Sequence, residues 1–308
     1  MTMAVSASAG SAERAVLPVT VGVAPDSWGI WFAQDPRQLP WSRYLDEAAR
    51  TGVAVTELGP YGYLPTDAGA LERELGARGL ALVAGGAMFD LADPDAWARA
   101  RAEVVATCQL LHALGAELLL LIDDVYTDLQ TGAPLRPATL TDAGWRALVQ
   151  TTERVRELAA EHGLRVALHP HAQCHVQYEE EIERLLEDAG GLELCLDVGH
   201  HAYCGGDPVA FYRRHAARIT HLHLKSVDAA LRARVLADEV PFATAVAQGV
   251  FVEPASGAVD FPSLCAEIAR TGYEGFAIVE QDCYPAPAHR PFPVALRTVE
   301  YLASLGLR

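Results

Sequence analysis

No apolar run in this chain approaches the roughly 18 residues that a membrane-spanning helix needs, so no segment is expected to cross a membrane. Positive charge is also scarce. Lysine and arginine total 24 against 40 aspartates and glutamates, a formal net charge of −16. Such a surface repels phosphate backbones, which excludes nucleic acid as a partner unless a local basic stripe exists. The one concentration of arginines, Arg213, Arg214 and Arg218, falls on a single helical segment and reads as a solvated face. The six cysteines form no C-x-x-C pair, and several sit inside apolar runs, as reduced thiols of a cytoplasmic protein do. No G-x-G-x-x-G follows the first apolar run, which continues as Ala24-Pro25-Asp26-Ser27-Trp28-Gly29; the dinucleotide fingerprint is therefore missing. Residues 1–15 lack a cationic start followed by an apolar core, so they are expected to be a disordered lead-in rather than a signal peptide.

What the chain does have is alternation. Short apolar runs recur at Val19–Ala24, Val53–Leu58, Leu80–Ala84, Leu118–Ile122, Val166–Leu168, Leu192–Leu196, Ile219–Leu224 and Phe276–Val279. Runs of this length, often β-branched, suit strands buried on both faces of a parallel sheet. Longer segments with helical spacing separate them, and five of these end on a glycine just before the next strand: Gly52, Gly79, Gly115, Gly163 and Gly272. A glycine in the left-handed conformation stops a helix at that place. Eight such strand–helix units predict an α/β protein, a (β/α)8 TIM barrel, as one domain over residues 16–308. Two connections, 123–142 after strand four and 226–260 after strand seven, exceed what a minimal barrel needs. Both leave the C-terminal ends of strands, where barrel active sites are built, and are expected to form a rim or subunit contacts.

The polar residues at the strand ends carry the chemistry. Strand five ends Leu168-His169-Pro170-His171, and strand six ends Leu196-Asp197-Val198-Gly199-His200-His201. Strand seven reads Thr220-His221-Leu222-His223-Leu224-Lys225, and strand eight ends Val279-Glu280-Gln281-Asp282. Neighbouring barrel strands end side by side, so these side chains can converge on one point. Mixed imidazole and carboxylate donors suit one divalent ion, Mn²⁺ or Co²⁺ first, with Zn²⁺, Fe²⁺ or Mg²⁺ as alternatives. The period of two in a strand puts His221 and His223 on one face, and His223, nearer the strand's C-terminal end, is the favoured ligand, with Asp197 and Glu280 beside it. His169, which ends its apolar run, is favoured over His171 as the fourth.

These segments, with Gly22-Val23-Ala24-Pro25 and Phe242–Val252, resemble the xylose-isomerase-like barrel superfamily of sugar isomerases and epimerases, and within it the inosose dehydratases. The resemblance covers nearly the whole chain. It implies a metal held by His169, Asp197, His223 and Glu280, a substrate contact from His200, and a small keto-sugar or keto-cyclitol as substrate. Epimerases of this group carry a glutamate on strand five, where this chain has His169; that departure favours dehydration. Isomerisation, 3-epimerisation, or cleavage of a C-glycoside on a 3-keto-glycoside are the alternatives. Ser226 is a second departure, standing where an aspartate commonly follows the His-Leu-Lys run.

The expected reaction starts with a metal-stabilised enediolate, with Glu280, His171 or His200 as the general base. Glu57 and Asp123, ending strands two and four, are candidates for binding substrate hydroxyls. Lys225 is a candidate hydrogen-bond donor to the substrate. Trp28, with Trp31, Tyr61 and Tyr63, is a candidate to stack on the ring. The number of subunits is left open, a homo-oligomer included.

Overall fold

The apolar runs become the staves of one closed parallel barrel. The computed structural model describes residues 16–308; the lead-in expected over residues 1–15 lies outside the described residues. The staves are β1 (Val19–Val23), β2 (Val55–Glu57), β3 (Ala81–Phe89), β4 (Leu118–Asp123), β5 (Arg165–Leu168), β6 (Glu193–Asp197), β7 (Ile219–Leu224) and β10 (Gly275–Val279). Around the ring they run β1-β10-β7-β6-β5-β4-β3-β2. A ribbon of β8 (Ser226–Val227) with β9 (Phe251–Val252) lies between β7 and β10 in the chain. The expected (β/α)8 barrel is therefore observed, with its eighth stave labelled β10. One stave is longer than its apolar run implied. β3 continues through Gly85 to Phe89, and a Cβ on Gly85 would stand 3.1 Å from Leu58 and Leu111 side chains, so the glycine belongs to the packed sheet rather than to a turn.

The outer layer comprises α1 (Trp41–Arg50), α2 (Ala68–Gly76), α3 (Pro94–Ala113), α4 (Asp142–Glu161), α5 (Glu179–Asp188), α7 (Pro208–His215), α10 (Phe261–Thr271) and α11 (Pro291–Ser304). Three further helices, α6 (Val198–Tyr203), α8 (Ala229–Ala237) and α9 (Phe242–Ala247), sit in the connections after β6 and β7. The five helix-stop glycines all have positive φ, between 66° and 88°. At the other end of the helices, Asp93 and Thr141 accept the first free N–H groups of α3 and α4, as N-caps do.

Successive residues of each stave point to opposite sides. Leu119, Leu121, Leu194, Leu196, Leu222 and Leu224 face the helices and form the main core. Leu118, Leu120, Ala167 and Cys195 fill the barrel interior. By the same alternation His169, Asp197, His221, His223 and Glu280 point inward, and the register pairs Asp197 with His223.

Asp123, expected to meet substrate, has another task. Its Oδ1 accepts the Leu91 N–H at 3.0 Å, and its Oδ2 accepts both the backbone N–H and Nδ1–H of His175, each at 2.9 Å. The His175 Nε2–H reaches the Pro137 carbonyl at 3.1 Å, so both ring nitrogens donate. Nearby, Arg136 pairs with Asp90 and Asp124, each at 3.2 Å. Asp123 thus ties the barrel top to the loop over 124–141 and is buried beneath it. Burial pushes the His175 pKa down, but the Asp123 carboxylate prevails and raises it above 6.5. A raised folded pKa stabilises most at low pH and loses its effect as pH rises through it. Asp123→Ala should lower the urea-unfolding free energy by about 3 kcal/mol with m unchanged, and the deficit relative to wild type should narrow as pH rises.

Candidate metal centre

Asp197 is where local structure first prepares a site. It ends β6 and caps α6: its Oδ1 accepts the N–H groups of Gly199 and His200, each at 2.8 Å. One oxygen is thereby fixed by the helix, and Oδ2 is left pointing into the barrel. Around it stand His169 Nε2 at 3.4 Å and His223 Nδ1 at 3.7 Å. Glu280 Oε2 lies 2.8 Å from His223 Nδ1 and 3.7 Å from His169 Nε2. One ligand atom from each of the four side chains falls within 4.8 Å of the others, and all four residues are buried. Two imidazole nitrogens and two carboxylate oxygens form a donor set that fits a divalent ion of the Mn²⁺, Co²⁺, Zn²⁺ or Fe²⁺ kind.

Glu57, a candidate for binding substrate hydroxyls, is hydrogen-bonded into this cluster. Its Oε1 accepts from His223 Nε2 at 2.9 Å and from His221 Nε2 at 2.7 Å. A carboxylate on the far nitrogen sets the tautomer and leaves Nδ1 of His223 for the cluster. His171, the other candidate on strand five, is outside the quartet. Its Nδ1–H donates to the Ala172 carbonyl at 2.8 Å, and its ring lies against that of His200, with centroids 3.9 Å apart.

Lys225 is fully buried, against the expectation that it would face substrate. Its Nζ lies 2.6 Å from Asp197 Oδ2, 3.0 Å from Glu280 Oε2 and 3.1 Å from Asp282 Oδ2. It reaches them across Gly199, where an added Cβ would stand 2.1 Å from Lys225 Cγ. Ser226, next in the chain, donates nothing to the cluster; its Oγ accepts the Val259 N–H at 3.0 Å and packs against Gly257. Ser226 therefore closes the loop after β7 instead of facing the cluster.

Burial alone would neutralise these groups, but they hold one another in charged form. The Asp197 and Glu280 carboxyls are driven up by burial, yet Lys225 and the histidines hold both well below the usual range. Glu57 is lowered to about 2, burial being outweighed by His223 and His221. Burial lowers His223 and His169, but Cys195 with Glu280 and Glu57 outweighs it at His223, and Asp197 with Glu280 outweighs it at His169, so both are raised. An ion must then displace protons from these imidazoles. Affinity for Mn²⁺ or Co²⁺ should fall as pH drops, and calorimetry in two buffers of different ionisation enthalpy should record proton release on binding.

Beside the cluster opens a cavity of about 180 Å³ lined by Asp26, Trp31, Asp124, His171, Phe242 and Asp282, among others. That is below the roughly 300–1,000 Å³ of drug-sized sites and suits one small ring. A larger cleft of about 430 Å³ near Arg232 and Asp260 holds none of the strand-end donors. The aromatic wall is Trp31, whose ring stacks 4.7 Å from Tyr284 and 6.4 Å from Phe242. Trp28, the tryptophan favoured for stacking, is 1% exposed, packs edge-on against Tyr44 and donates its indole N–H to Glu47 at 2.8 Å. Tyr63 likewise is buried and bonds Leu39. His200 lies under His171 with Nε2 3.6 Å from Asp282 Oδ2.

Asp26, Asp124 and Phe242 received no role from sequence reasoning. The first two follow strand ends by three residues and by one, which was the available signal; Phe242 arrives from a distant loop.

A model of the family described as xylose isomerase-like TIM barrel matches residues 45–304. The chain belongs to this family. Within the xylose isomerase-like barrels, it is 35% identical to the rhizopine catabolism protein MocC of Rhizobium meliloti, over 96% of this chain and 90% of that one. It is 30% identical to an inosose dehydratase of Geobacillus kaustophilus (strain HTA426), over 95% of this chain and 96% of that one. Among solved structures of the fold, a D-allulose 3-epimerase from Methylomonas sp. superposes with a TM-score of 0.68 at 17% identity, covering 95% of this chain and 99% of that one.

The approach of Lys225 across Gly199 leaves no room for a side chain there. Gly199→Ala should displace the lysine, and with it the charge balance of the quartet; metal affinity should fall by about tenfold or more, the scale of losses from groups that support ligands, as read by calorimetry on a folded variant.

Proposed function

We propose that this chain is a divalent-metal-dependent enzyme that dehydrates a keto-cyclitol or keto-sugar, in the manner of an inosose dehydratase. The observation that carries this reading is the convergence of His169 Nε2, Asp197 Oδ2, His223 Nδ1 and Glu280 Oε2 at the C-terminal mouth of the barrel, beside a ring-sized cavity. The relative named inosose dehydratase supports the same substrate class. The cavity wall carries Asp26, Asp124 and Asp282 and no lysine or arginine, which favours an uncharged substrate over a phosphorylated one.

When bound, the ion supplies a Lewis acid that polarises a ketone and its neighbouring hydroxyl and stabilises the enediolate. His171 takes the proton from the carbon beside the ketone. Its Nδ1–H is committed to Ala172, so the Nε2 lone pair is free to accept. Burial, then the charges of His169 and Lys225, push its pKa down to about 4 and keep it neutral. His200 packs against it and fixes the ring plane. Glu280 is assigned to the ion and Lys225 to the carboxylates around it. His169 supports dehydration over epimerisation, because a symmetric epimerase shuttle needs a second carboxylate on strand five.

His223→Ala and Glu280→Ala should each lose both bound metal, by elemental analysis, and turnover, by about 10³-fold or more. Incubation of the enzyme with 2-keto-myo-inositol and Mn²⁺ or Co²⁺ should produce enone or dione absorbance. A fully active metal-free variant, or formation of an epimer alone, would overturn the reading.

A further inference from the structure

The turn after β1 contains one side chain that the fold does not use. In Pro25–Trp28, the Pro25 ring packs on Gly59, where an added Cβ would stand 2.7 Å away. Ser27 Oγ donates to the Val279 carbonyl at 3.0 Å and accepts the Gln281 N–H at 2.8 Å. Trp28 is bonded to Glu47. Asp26 contributes its backbone carbonyl to Gly29, but among the described residues its carboxyl has no hydrogen bond and no ion pair. The other two cavity carboxylates are held by cations, Asp282 by Lys225 and Asp124 by Arg136. A carboxyl in a cavity with no basic partner retains its proton more readily than its neighbours do. Burial raises the Asp26 pKa well above its ordinary value; the charges of Glu280 and Asp282 add to this, and the Lys225 charge opposes it without prevailing.

Its placement is as informative as its isolation. In the ring order β1-β10-β7-β6-β5, β1 and β5 stand four places apart in an eight-stave barrel and so face each other. Asp26 follows β1 and His171 follows β5, and both line the same cavity. A ring held between them offers a carbon-bound hydrogen to one wall and a hydroxyl on the adjacent carbon to the other.

We propose that Asp26 is the general acid of the reaction, protonating the departing hydroxyl from the wall opposite His171. This rests on the dehydration reading above. His171 Nε2 takes the proton from the carbon next to the ketone, and that C–H electron pair enters the enediolate. The pair then forms the new carbon–carbon double bond as the β-carbon–oxygen bond breaks. The leaving oxygen takes its electrons and the Asp26 proton and departs as water. One water is lost, nothing is oxidised or reduced overall, and solvent returns the proton from His171 to Asp26. Opposed acid and base require that hydrogen and hydroxyl leave from opposite faces of the ring.

The test uses the full chain loaded with Mn²⁺ and Asp26→Asn, which keeps the side chain's shape and has no structural bond to lose. With 2-keto-myo-inositol in D₂O, the variant should still exchange the hydrogen beside the ketone, read by NMR, while dehydration falls about 10²- to 10⁴-fold. An analogue with fluoride in place of the leaving hydroxyl needs no acid, and its elimination should return to within about tenfold of wild type. Dehydration by the variant at the wild-type rate, exchange lost together with dehydration, or no gain from fluoride would each overturn the role of Asp26. A wild-type enzyme that neither exchanges nor dehydrates would instead bring down the dehydratase reading itself, and the acid with it.

Discussion

The carboxylates of Glu57, Asp197 and Glu280 are held out of water at the top of the barrel, and the rest of the site is arranged around that cost. Isolated buried carboxylates are unfavourable by several kcal/mol each, so each must meet a cation or donor. Lys225, His169, His221 and His223 supply these from β5, β7 and the residue that follows β7, those for Glu57 across the barrel interior. The arrangement has little slack: Gly199 must lack a side chain for Lys225 to pass, and one oxygen of Asp197 must be tied to α6 so that the other points inward. A divalent ion entering such a cluster replaces protons on the imidazoles rather than creating a new charge imbalance. The donor set that would take a cation therefore follows from electrostatics the fold already requires.

The cavity beside the cluster is assembled from a different set of parts. Trp31 comes from the connection after β1 and Phe242 from α9 after β7, their rings stack, and Tyr284 from beyond β10 backs Trp31 from behind the wall. Asp124 arrives on the loop that Asp123 and His175 anchor. Rigid staves thus carry the cluster, while long connections shape the space in which a ring would sit. That division lets substrate preference vary without disturbing the donors.

How much of this was legible in the sequence depends on the range of the interaction. Strand period and helix-stop glycines are local, so the barrel, its inward-facing His169, Asp197, His223 and Glu280, and the family could be read directly. β3 escaped by five residues because Gly85 and Gly86 look like a turn unless the packing of Leu111 on Gly85 is known. Trp28, Asp123, Glu57 and Lys225 occupy strand ends as substrate contacts would, and one-dimensional position cannot distinguish a side chain facing a cavity from one turned toward a partner. Asp26, by contrast, has no sequence pattern to single it out, and its lack of any partner is visible only once every neighbouring donor has been placed.

The sequence by itself determined the fold, the family and the set of inward polar side chains, because these follow from periodicities of two and 3.6 residues along one chain. Tertiary structure decided which of His169 and His171 joins the quartet, which tryptophan faces the cavity, and which carboxyls are left without a cation. Those outcomes turn on distances of a few ångströms between segments up to some 250 residues apart, such as Ser27 and Val279. No local pattern carries that information, since the energy of a buried charge is set by whichever groups the closed barrel brings within reach of it.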